Sequence, residues 1–419
     1  MSTKACFSDA LLRQIRARFE NVASDPIVGK RIYFENAGGA LRLKSVMAAT
    51  QLFTGLPDNA GRRNRTSRFI DETIAKGRQD VRFLMGATAG EVISEQSGTG
   101  MIFRILSTVA RSVKGTNIVT SNLEHPAVYD GCHILARRYG QECRVAGLDP
   151  KSGHVPVEAV TRLVDKNTVM LAVIHASNIL GTTNDVAGMV REARRIKPDL
   201  YVVIDGCQYG SHGVIDVAEH GADAWVLDAY KIYSKIGTNF AYLSTRLANL
   251  DRDNLAGKAP NDWDLGTREP AAFASISCVV DYMQWLGAHF TERGDPRSKV
   301  LAAMRAIEAH ERELTELMLR GDGKTPGLLS IKGVTVYGET SDLSKRQAIL
   351  GLNVAGATSA KVVDYLESHG VRTHNRTNDA YSRHVLAALG IPECVRVSLC
   401  HYNSRGEVLS FLRLMQHQR

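Results

Sequence analysis

The chain has 419 residues, which is more than one compact core holds, so we expect two domains. With 44% hydrophobic and 23% charged residues it has the composition of an ordinary globular protein, and no apolar run reaches the roughly 20 residues that a membrane span needs. The formal net charge of +8 comes from scattered arginines without a basic block interleaved with aromatic residues, which argues against nucleic-acid binding and favours a contribution to solubility.

The cysteines and the N-terminus both indicate a cytoplasmic protein. Seven cysteines are scattered along the chain without a Cys-x-x-Cys pair, a pattern typical of free thiols in a reducing compartment and not of disulfides or a metal site. The first residues lack the apolar core of a signal peptide. Residues 8–24 carry apolar side chains at helical spacing and predict an amphipathic helix.

Two loops in the first part of the chain are candidates for ligand contact. Residues 32–39 predict a short strand that ends in two glycines, where the backbone could approach a ligand closely, although a plain turn explains them equally well. Residues 59–68 hold four arginines ahead of a helix predicted over 69–85. These arginines suit an anionic substrate or, as we favour, a solvated surface at a subunit interface.

A strand predicted over 91–96, a turn at 97–100 and a helix predicted over 101–113 form an arrangement that binds anions. Free backbone N–H groups and the helix dipole point to the same place at a helix N-terminus. The turn reads Ser-Gly-Thr-Gly, so the backbone can approach an anion closely. The sequence therefore predicts an anion site there, although a glycine turn alone is a weak signal.

Asp205 and Lys231 each follow a strand that is predicted to be buried. Uninterrupted apolar runs predict such strands at residues 116–120, 168–174, 201–204 and 224–227. Open α/β sheets bind their ligands at the carboxyl ends of the strands, where both side chains would lie. Taken singly, Asp205 would cap a helix and Lys231 would be a solvated lysine. Together they supply the acid and the amine that pyridoxal phosphate chemistry needs, with Lys235 as a competing amine.

Several motifs occur in a fixed order over nearly the whole chain. They are Tyr33-Phe34-Glu35-Asn36-Ala37, the turn 97–100, Glu124-His125-Pro126, the run His-Ala-Ser-Asn-Ile-Leu-Gly-Thr at 175–182, Asp205, Lys231 and Tyr402-Asn403. In this order they resemble the class V aminotransferase superfamily of fold-type I pyridoxal phosphate enzymes. The resemblance is greatest to its cysteine desulfurase and selenocysteine lyase branch.

The resemblance implies an α/β fold in two parts. Residues 25–294 would form a large cofactor-binding domain, with a mixed, mostly parallel seven-stranded sheet between layers of helices. Residues 1–24 and 295–419 would form a smaller α/β domain, in which the N-terminal helix packs on the C-terminal part. The resemblance also implies pyridoxal 5′-phosphate as cofactor, a small amino acid as substrate, and a homodimer whose active sites are shared across the interface.

The resemblance further implies roles for individual residues. Lys231 would form the Schiff base, Asp205 would keep the pyridine nitrogen protonated, and His125 would stack on the ring. The other implied cofactor contacts are Thr99, Gly100, Asn178, Gln208, Tyr230 and, from the neighbouring subunit, Thr267. The implied substrate contacts are Asn36, Ala37, Asn178, Arg376 and Arg396. Arg396 would grip the substrate carboxylate, because its planar guanidinium bonds both oxygens at once.

Two departures from the family pattern bear on the reaction. The family usually has Ser and His facing the phosphate where this chain has Asp228 and Tyr230. Tyr230 can donate a hydrogen bond to phosphate but ionised Asp228 cannot, so we expect Asp228 to point elsewhere. The loop 372–379 lacks the cysteine that attacks sulfur in cysteine desulfurases, and the nearest cysteine in sequence is Cys394.

We therefore expect β-elimination on a small α-amino acid, with a carbon–sulfur or related lyase activity that does not use a nucleophilic cysteine. Transamination is the main alternative, and racemisation or epimerisation uses the same lysine chemistry. A catalytically idle binding scaffold is a further alternative, but it would have no need for all five of Lys231, Asp205, His125, Asn178 and Arg396. Candidates for recognising the substrate side chain are His374, Asn375, Arg376 and the arginines at 62–68.

Overall fold

The structure is a computed structural model that describes residues 7–259 and 261–417. Its strands are β1 (Ser24–Asp25), β2 (Gly29–Lys30), β3 (Ile32–Tyr33), β4 (Glu91–Glu95), β5 (Asn117–Ser121), β6 (Glu142–Ala146), β7 (Thr168–Ile174), β8 (Tyr201–Asp205), β9 (Ala224–Asp228), β10 (Asn239–Leu243), β11 (Val334–Tyr337), β12 (Ile349–Val354), β13 (Val371–Arg372), β14 (His374–Arg376) and β15 (Cys394–Ser398). Its helices are α1 (Asp9–Ala17), α2 (Lys44–Thr54), α3 (Arg65–Met85), α4 (Gly98–Ser112), α5 (Pro126–Arg138), α6 (Val157–Thr161), α7 (Val186–Ile196), α8 (Thr245–Ala248), α9 (Pro270–Gly287), α10 (Pro296–Arg320), α11 (Ser359–Ser368), α12 (Arg383–Leu389) and α13 (Arg405–Gln416).

The larger sheet has seven strands in the order β4-β10-β9-β8-β7-β5-β6. Neighbouring strands pair in parallel except β10, which is antiparallel to both β4 and β9. Every residue of β7 and β9 is buried, as expected for strands that helices cover on both faces. The predicted mixed, mostly parallel seven-stranded sheet is therefore confirmed.

The sheet topology decides where the polar ends of the strands meet. Strands β7, β8 and β9 are neighbours, so Ile174 lies opposite Asp205, and Asp205 lies opposite Val226. Strand β4 runs parallel to them and leads directly into α4, which places the start of that helix at the same edge of the sheet. The carboxyl ends of these strands thus form the crevice that open α/β sheets use for ligands.

Helices α2, α3, α9 and α10 pack together on one face of the large sheet, while α4 and α5 pack on the other. Helix α9 was not predicted from the sequence, because most of its residues are buried and no polar stripe marks a 3.6-residue period. It approaches α3 closely at Gly77, where a Cβ would lie 2.6 Å from the Phe273 side chain. Among the residues that the structure describes, no helix combines the length and the apolar character that crossing a membrane requires.

The smaller sheet is antiparallel, with strand order β11-β12-β15-β14. The prediction that residues 372–379 form one loop is wrong in part, because His374–Arg376 is the edge strand β14. Its register places His374 opposite Arg396 and Arg376 opposite Cys394. A three-residue edge strand leaves no alternating pattern that a sequence could reveal.

The N-terminal helix is shorter than predicted, and α3 is longer. Helix α1 ends at Ala17, because Phe19 turns into an aromatic cluster with Tyr233, Tyr282 and Tyr402. Helix α3 begins at Arg65, where the Asn64 side chain caps it by accepting from the backbone N–H of Ser67. Two of the four loop arginines therefore lie on a helix.

The N-terminal segment contacts the C-terminal part of the chain. Strand β3 pairs in parallel with β13, and Arg16 on α1 forms an ion pair with Glu407 on α13 at 3.1 Å. The predicted division into 25–294 and the two flanking segments remains a prediction, and residues 1–6, 260 and 418–419 of it lie outside the described residues.

Candidate active site

A cavity of about 370 Å³ opens at the carboxyl ends of β7, β8 and β9, beside the N-terminus of α4. The predicted site residues that line it are Thr99, His125, Asn178, Asp205, Gln208, Tyr230 and Lys231. Residues far apart in sequence thus meet at one point. Cys207, Asp228 and Tyr381 also line the cavity, and the sequence had not placed them there.

The amine of Lys231 is buried in the cavity and pairs with Asp228. Its Nζ lies 3.3 Å from Asp228 Oδ2. Burial, the largest single influence, would lower the pKa of Lys231, but the Asp228 carboxylate together with Tyr230, Cys207 and Asp205 outweighs it and raises the pKa above its usual value. The expectation that Asp228 points elsewhere is therefore wrong: the end of β9 and the following turn hold both side chains in one site. Lys235 instead bonds Glu269 outside the cavity, which favours Lys231 as the reactive amine.

Asp205 is a buried acid at the end of β8. Its Oδ1 accepts a hydrogen bond from the backbone N–H of Cys207 at 3.0 Å. Burial raises the pKa of Asp205, and the nearby Lys231 ammonium opposes that rise. A carboxylate so placed can hold a cationic ring nitrogen by charge and by a hydrogen bond.

His125 is a neutral imidazole beside the cavity. It precedes α5 and caps it, with Nδ1 accepting from the backbone N–H of Ala127 at 3.2 Å, so the proton sits on Nε2. Burial lowers the pKa of His125 to about 3, and the positive charge of Lys231 adds to the effect. An uncharged ring of this kind can stack on a flat ligand and exchange a proton through Nε2.

The N-terminus of α4 offers free backbone donors at the cavity wall. Ser97 caps the helix, and its Oγ accepts from the N–H of Gly100 at 3.0 Å. The first N–H groups of a helix have no intrahelical acceptor, so Gly98 and Thr99 can donate to an anion, whereas the Gly100 donor is already occupied. The structure therefore favours Gly98 over the predicted Gly100 as a phosphate contact.

Gln208 is held by two buried residues that sequence reasoning missed. Its Nε2 lies 3.4 Å from His212 Nε2, and His212 Nδ1 lies 2.7 Å from Glu311 Oε2 on α10. This chain of contacts leaves Gln208 Oε1 buried without a partner among the described residues. The separation of His212 and Glu311 in sequence explains why no local pattern revealed them.

Glu311 also belongs to the one group of described side chains whose spacing could suit a metal ion. Its ligand atoms and those of Cys400 and His401 lie within 4.8 Å of one another. Glu311 is bonded to His212, and His401 Nε2 is bonded to the hydroxyl of Tyr282 at 2.6 Å. Two of the three candidate ligands are therefore already hydrogen-bonded to other side chains of the protein, and we assign no metal ion to this group.

The predicted substrate arginines lie behind the cavity and not on its lining. Arg396 is almost fully buried, and its Nη2 lies 2.6 Å from Glu35 Oε1, while its Nη1 donates to the backbone oxygen of Asn178 at 3.0 Å. Arg376 donates to the backbone oxygen of Tyr381 at 3.0 Å, and burial together with the neighbouring Arg396 lowers its pKa to about 10. A carboxylate of the protein itself therefore occupies the guanidinium that was predicted to bind the substrate.

Asn36 and Ala37 make contacts within the protein. The Asn36 amide donates to the backbone oxygen of Ser398 at 2.8 Å, and its Oδ1 accepts from the Tyr402 hydroxyl. The backbone N–H of Ala37 donates to Ser398 Oγ at 2.8 Å. These bonds join the segment after β3 to the end of β15, so the geometry favours a structural role, and substrate contact by either residue stays a prediction.

Thr267 lies outside the cavity, in a neighbouring pocket that shares Gln96 and Gly237 with its rim. The side chain therefore does not serve the cofactor site of its own chain in this structure. Its predicted contact with the site of a second subunit stays a prediction.

The cavity residues fit pyridoxal phosphate with one exception. Lys231 supplies the amine, Asp205 the buried acid, His125 a flat neutral ring, and the N-terminus of α4 unpaired donors for a phosphate. The exception is Asp228, a carboxylate near those same donors. The cavity therefore contains four features that the cofactor requires. It also contains the Asp228 carboxylate, which a bound phosphate would have to tolerate.

Comparison with known proteins agrees with this geometry. The family model described as aminotransferase class-V matches residues 32–295 and 298–411. A cysteine desulfurase of Salmonella choleraesuis (strain SC-B67) is 26% identical over 363 residues, which is 83% of this chain and 79% of that protein. A cysteine desulfurase of Salmonella typhimurium (strain LT2) gives the same figures of 26% over 363 residues, 83% and 79%.

Solved structures show the same fold. The apo cysteine desulfurase of Thermococcus onnurineus NA1 superimposes with a TM-score of 0.80 at 20% identity and covers 96% of this chain and 98% of that one. The cysteine desulfurase CsdA of Escherichia coli gives a TM-score of 0.78 at 20% identity, with 97% and 98% covered. Class V aminotransferases and cysteine desulfurases use pyridoxal 5′-phosphate, which the residues of the cavity fit. The chain belongs to the class V aminotransferase family and is a pyridoxal phosphate-dependent enzyme of its lyase or aminotransferase type.

Proposed function

We propose that this enzyme catalyses β-elimination on a small α-amino acid, as a carbon–sulfur or related lyase that works without a nucleophilic cysteine. The observation that carries the proposal is the state of the thiols around the cavity. Cys394 is buried on β15, and burial raises the pKa of its thiol to about 12. Such a thiol stays protonated at neutral pH and is a poor nucleophile.

Cys207 is the one cysteine that lines the cavity among the described residues. Burial raises the pKa of its thiol well above the usual value, and the carboxylates of Asp205 and Asp228 raise it further. A thiolate is therefore disfavoured at the one cysteine of the described residues that lines the cavity. This electrostatic environment supports elimination in preference to sulfur transfer to a protein thiol.

Each residue of the cavity would have a separate role in an elimination reaction. Pyridoxal phosphate, when bound, supplies a conjugated ring that accepts the electron pair left at the substrate's Cα. Lys231 would hold the cofactor covalently and, once the substrate has displaced it, take the α-proton at Nζ. Asp205 would hold the proton on the ring nitrogen, and His125 would cover the ring face and exclude water from it.

Asn178 and Arg396 would orient the substrate carboxylate. Asn178 lines the cavity, and its backbone oxygen accepts a hydrogen bond from Arg396 behind the lining. The Glu35 carboxylate on Arg396 is the chemical equivalent of a substrate carboxylate, which supports an α-carboxylate as the group that this guanidinium recognises. Substrate binding then exchanges one carboxylate for another on the same arginine.

Transamination is the alternative reaction, since it uses the same lysine and the same buried acid. Elimination breaks the bond from Cβ to its substituent, and the substituent leaves with the electron pair, so that water then yields a keto acid and ammonia. Transamination instead needs an added keto acid as amino acceptor. We also propose a cytoplasmic homodimer, in which Thr267 of one subunit serves the phosphate of the other.

The test is incubation of the purified holoenzyme with a panel of amino acids, with separate assays for keto acid with ammonia, for sulfide, and for amino exchange with an added keto acid. We expect keto acid and ammonia without any acceptor. Cys207→Ala should keep most of this activity, and Cys278→Ala, which changes a cysteine outside the cavity, is the matched control. Product only in the presence of an acceptor would replace the lyase by an aminotransferase. Loss of turnover in Cys207→Ala with an intact cofactor spectrum would contradict the thiol-independent reaction.

A further inference from the structure

Tyr381 lies at the mouth of the cavity. It lines the same cavity as Lys231 and is nevertheless 58% exposed. The centroid of its ring lies 6.1 Å from that of His125, and the two ring planes are tilted by 38°. A large apolar side chain that stays exposed beside a ligand cavity can lose that exposure when a ligand packs against it.

The backbone that carries Tyr381 is fixed on both sides. Its backbone oxygen accepts from Arg376 Nη2 at 3.0 Å, and its N–H donates to Asp379 Oδ1 at 2.8 Å. Helix α12 follows directly, and its His384 Nε2 lies 2.7 Å from the backbone oxygen of Glu124. The protein therefore holds the ring of Tyr381 at the cavity while leaving much of its surface uncovered.

This position lies beside the group that would bind the substrate carboxylate. Arg376 belongs to β14, which pairs with the strand β15 that carries Arg396. An α-amino acid held by its carboxylate at Arg396 and by its amine and α-proton at Lys231 has one substituent left, the side chain. That side chain needs the open end of the cavity, where Tyr381 lies.

The lining offers no positive charge for an acidic side chain. Among the described residues Lys231 is the one cation on the lining, and it has its own role in the reaction. The residues predicted to recognise the substrate side chain, which are His374, Asn375, Arg376 and the arginines at 62–68, do not line the cavity. An acidic group would therefore be buried without a partner, which is costly.

The lining carboxylates are likewise engaged and not available to a basic side chain. Asp205 accepts from the backbone N–H of Cys207 at 3.0 Å, and Asp228 Oδ2 lies 3.3 Å from Lys231 Nζ. A side chain of either charge thus lacks a free partner in the cavity. An uncharged apolar side chain has Tyr381 to pack against.

We propose that Tyr381 is a specificity-determining residue that contacts the substrate side chain, and that the substrate is an α-amino acid with an uncharged apolar side chain, aromatic groups being bound best. Aromatic rings pack favourably edge to face or offset, which gives a tyrosine at this place its selectivity. This inference rests on the proposed function for the kind of substrate, but not on which bond is broken. In an elimination the leaving sulfur would keep the electron pair of its bond to Cβ, gain a proton and depart as an apolar thiol.

The experiment measures binding of four free amino acids to the holoenzyme by the change in its visible absorbance. The compounds are L-phenylalanine, L-alanine, L-glutamate and L-arginine. None carries a β-substituent that can leave with an electron pair, so elimination does not occur and binding is measured by itself. Tyr381→Ala and Tyr381→Phe are compared with the wild type. Tyr365→Ala changes a half-buried tyrosine on α11 outside the cavity and is the matched control.

In the wild type we expect L-phenylalanine to bind at least about tenfold more tightly than L-alanine and than either charged amino acid. Tyr381→Ala should lose the preference for L-phenylalanine over L-alanine, whereas Tyr381→Phe and Tyr365→Ala should keep it. A merely structural role of Tyr381 would weaken all four compounds alike and leave this ratio unchanged, which would overturn the proposal.

Tighter binding of L-glutamate or L-arginine by the wild type, equal binding of L-phenylalanine and L-alanine, or no spectral change with any of the four would also overturn it. None of these results depends on product formation. Failure of the lyase proposal would instead appear in the product assays.

Discussion

Glu35→Gln should tighten substrate binding, because Glu35 occupies the arginine that the substrate carboxylate would use. Arg396 is 3% exposed and Glu35 is 20% exposed, so the pair is largely shielded from water, with 2.6 Å between Arg396 Nη2 and Glu35 Oε1. A substrate has to displace this charged hydrogen bond before it can bind. The amide of a glutamine keeps the shape and still accepts from Arg396, but without the charge.

The expected magnitude follows from the two kinds of hydrogen bond. A hydrogen bond to a charged group contributes about 1.5 to 3 kcal/mol and a neutral one about 1 kcal/mol, so removing one of the two charges of this pair weakens the competing interaction by at most about 0.5 to 2 kcal/mol. That difference corresponds to a KM about 2 to 30 times lower, with little change in kcat. Protein stability should fall by a similar amount, because Arg396 loses its only carboxylate among the described residues.

The assay is steady-state kinetics with the amino acid that gives the largest rate in the panel, together with thermal unfolding of the same protein. Arg396→Ala is the opposing variant and should raise KM strongly. Glu308→Gln changes a half-buried glutamate on α10 that pairs with Arg312, and it controls for the loss of one negative charge from an ion pair. A KM that is unchanged or higher in Glu35→Gln would refute the reasoning that Glu35 stands in the place of the substrate carboxylate.

Three further predictions concern the cofactor and the buried acids. Lys231→Ala should abolish the visible band of the bound cofactor and all turnover, whereas Lys235→Ala should keep both, because only Lys231 lines the cavity among the described residues. Glu124 is fully buried, and burial raises its pKa from 4.5 to about 8, so the folded state holds a proton that the unfolded state releases. Stability should therefore fall as the pH rises between about 4.5 and about 8, and Glu124→Gln should flatten that fall in melting temperature. Glu311→Gln should alter the pH dependence of the visible band by freeing the His212 ring that holds Gln208, while a purely structural role would lower only the melting temperature.

The large sheet and the centre of the site were predictable from local sequence. Strands β7 and β9 are uninterrupted apolar runs, because both of their faces are covered, and this burial is visible in the residues themselves. Asp205 and Lys231 follow such strands directly, so the rule that parallel strands present their carboxyl ends at one edge brings them together. The position of His125 came from its order among the motifs.

Other features depended on tertiary contacts that no short segment records. The edge strand β14 exists because β15 is beside it, and α9 is buried on so many sides that its period is lost. The contacts that join His212 to Glu311 and Glu35 to Arg396 link residues that are distant in the chain.

Asp228 shows the difference most clearly. A carboxylate would be expected to avoid a phosphate site. For that reason the sequence led us to predict that Asp228 points elsewhere. The backbone at the end of β9 instead directs it against the first turn of α4 and toward Lys231. The sequence alone determined which strands are buried and which reactive side chains follow them, because those properties are local. Only the tertiary structure decided which charges share one space, because the energy of a charge depends on every group around it.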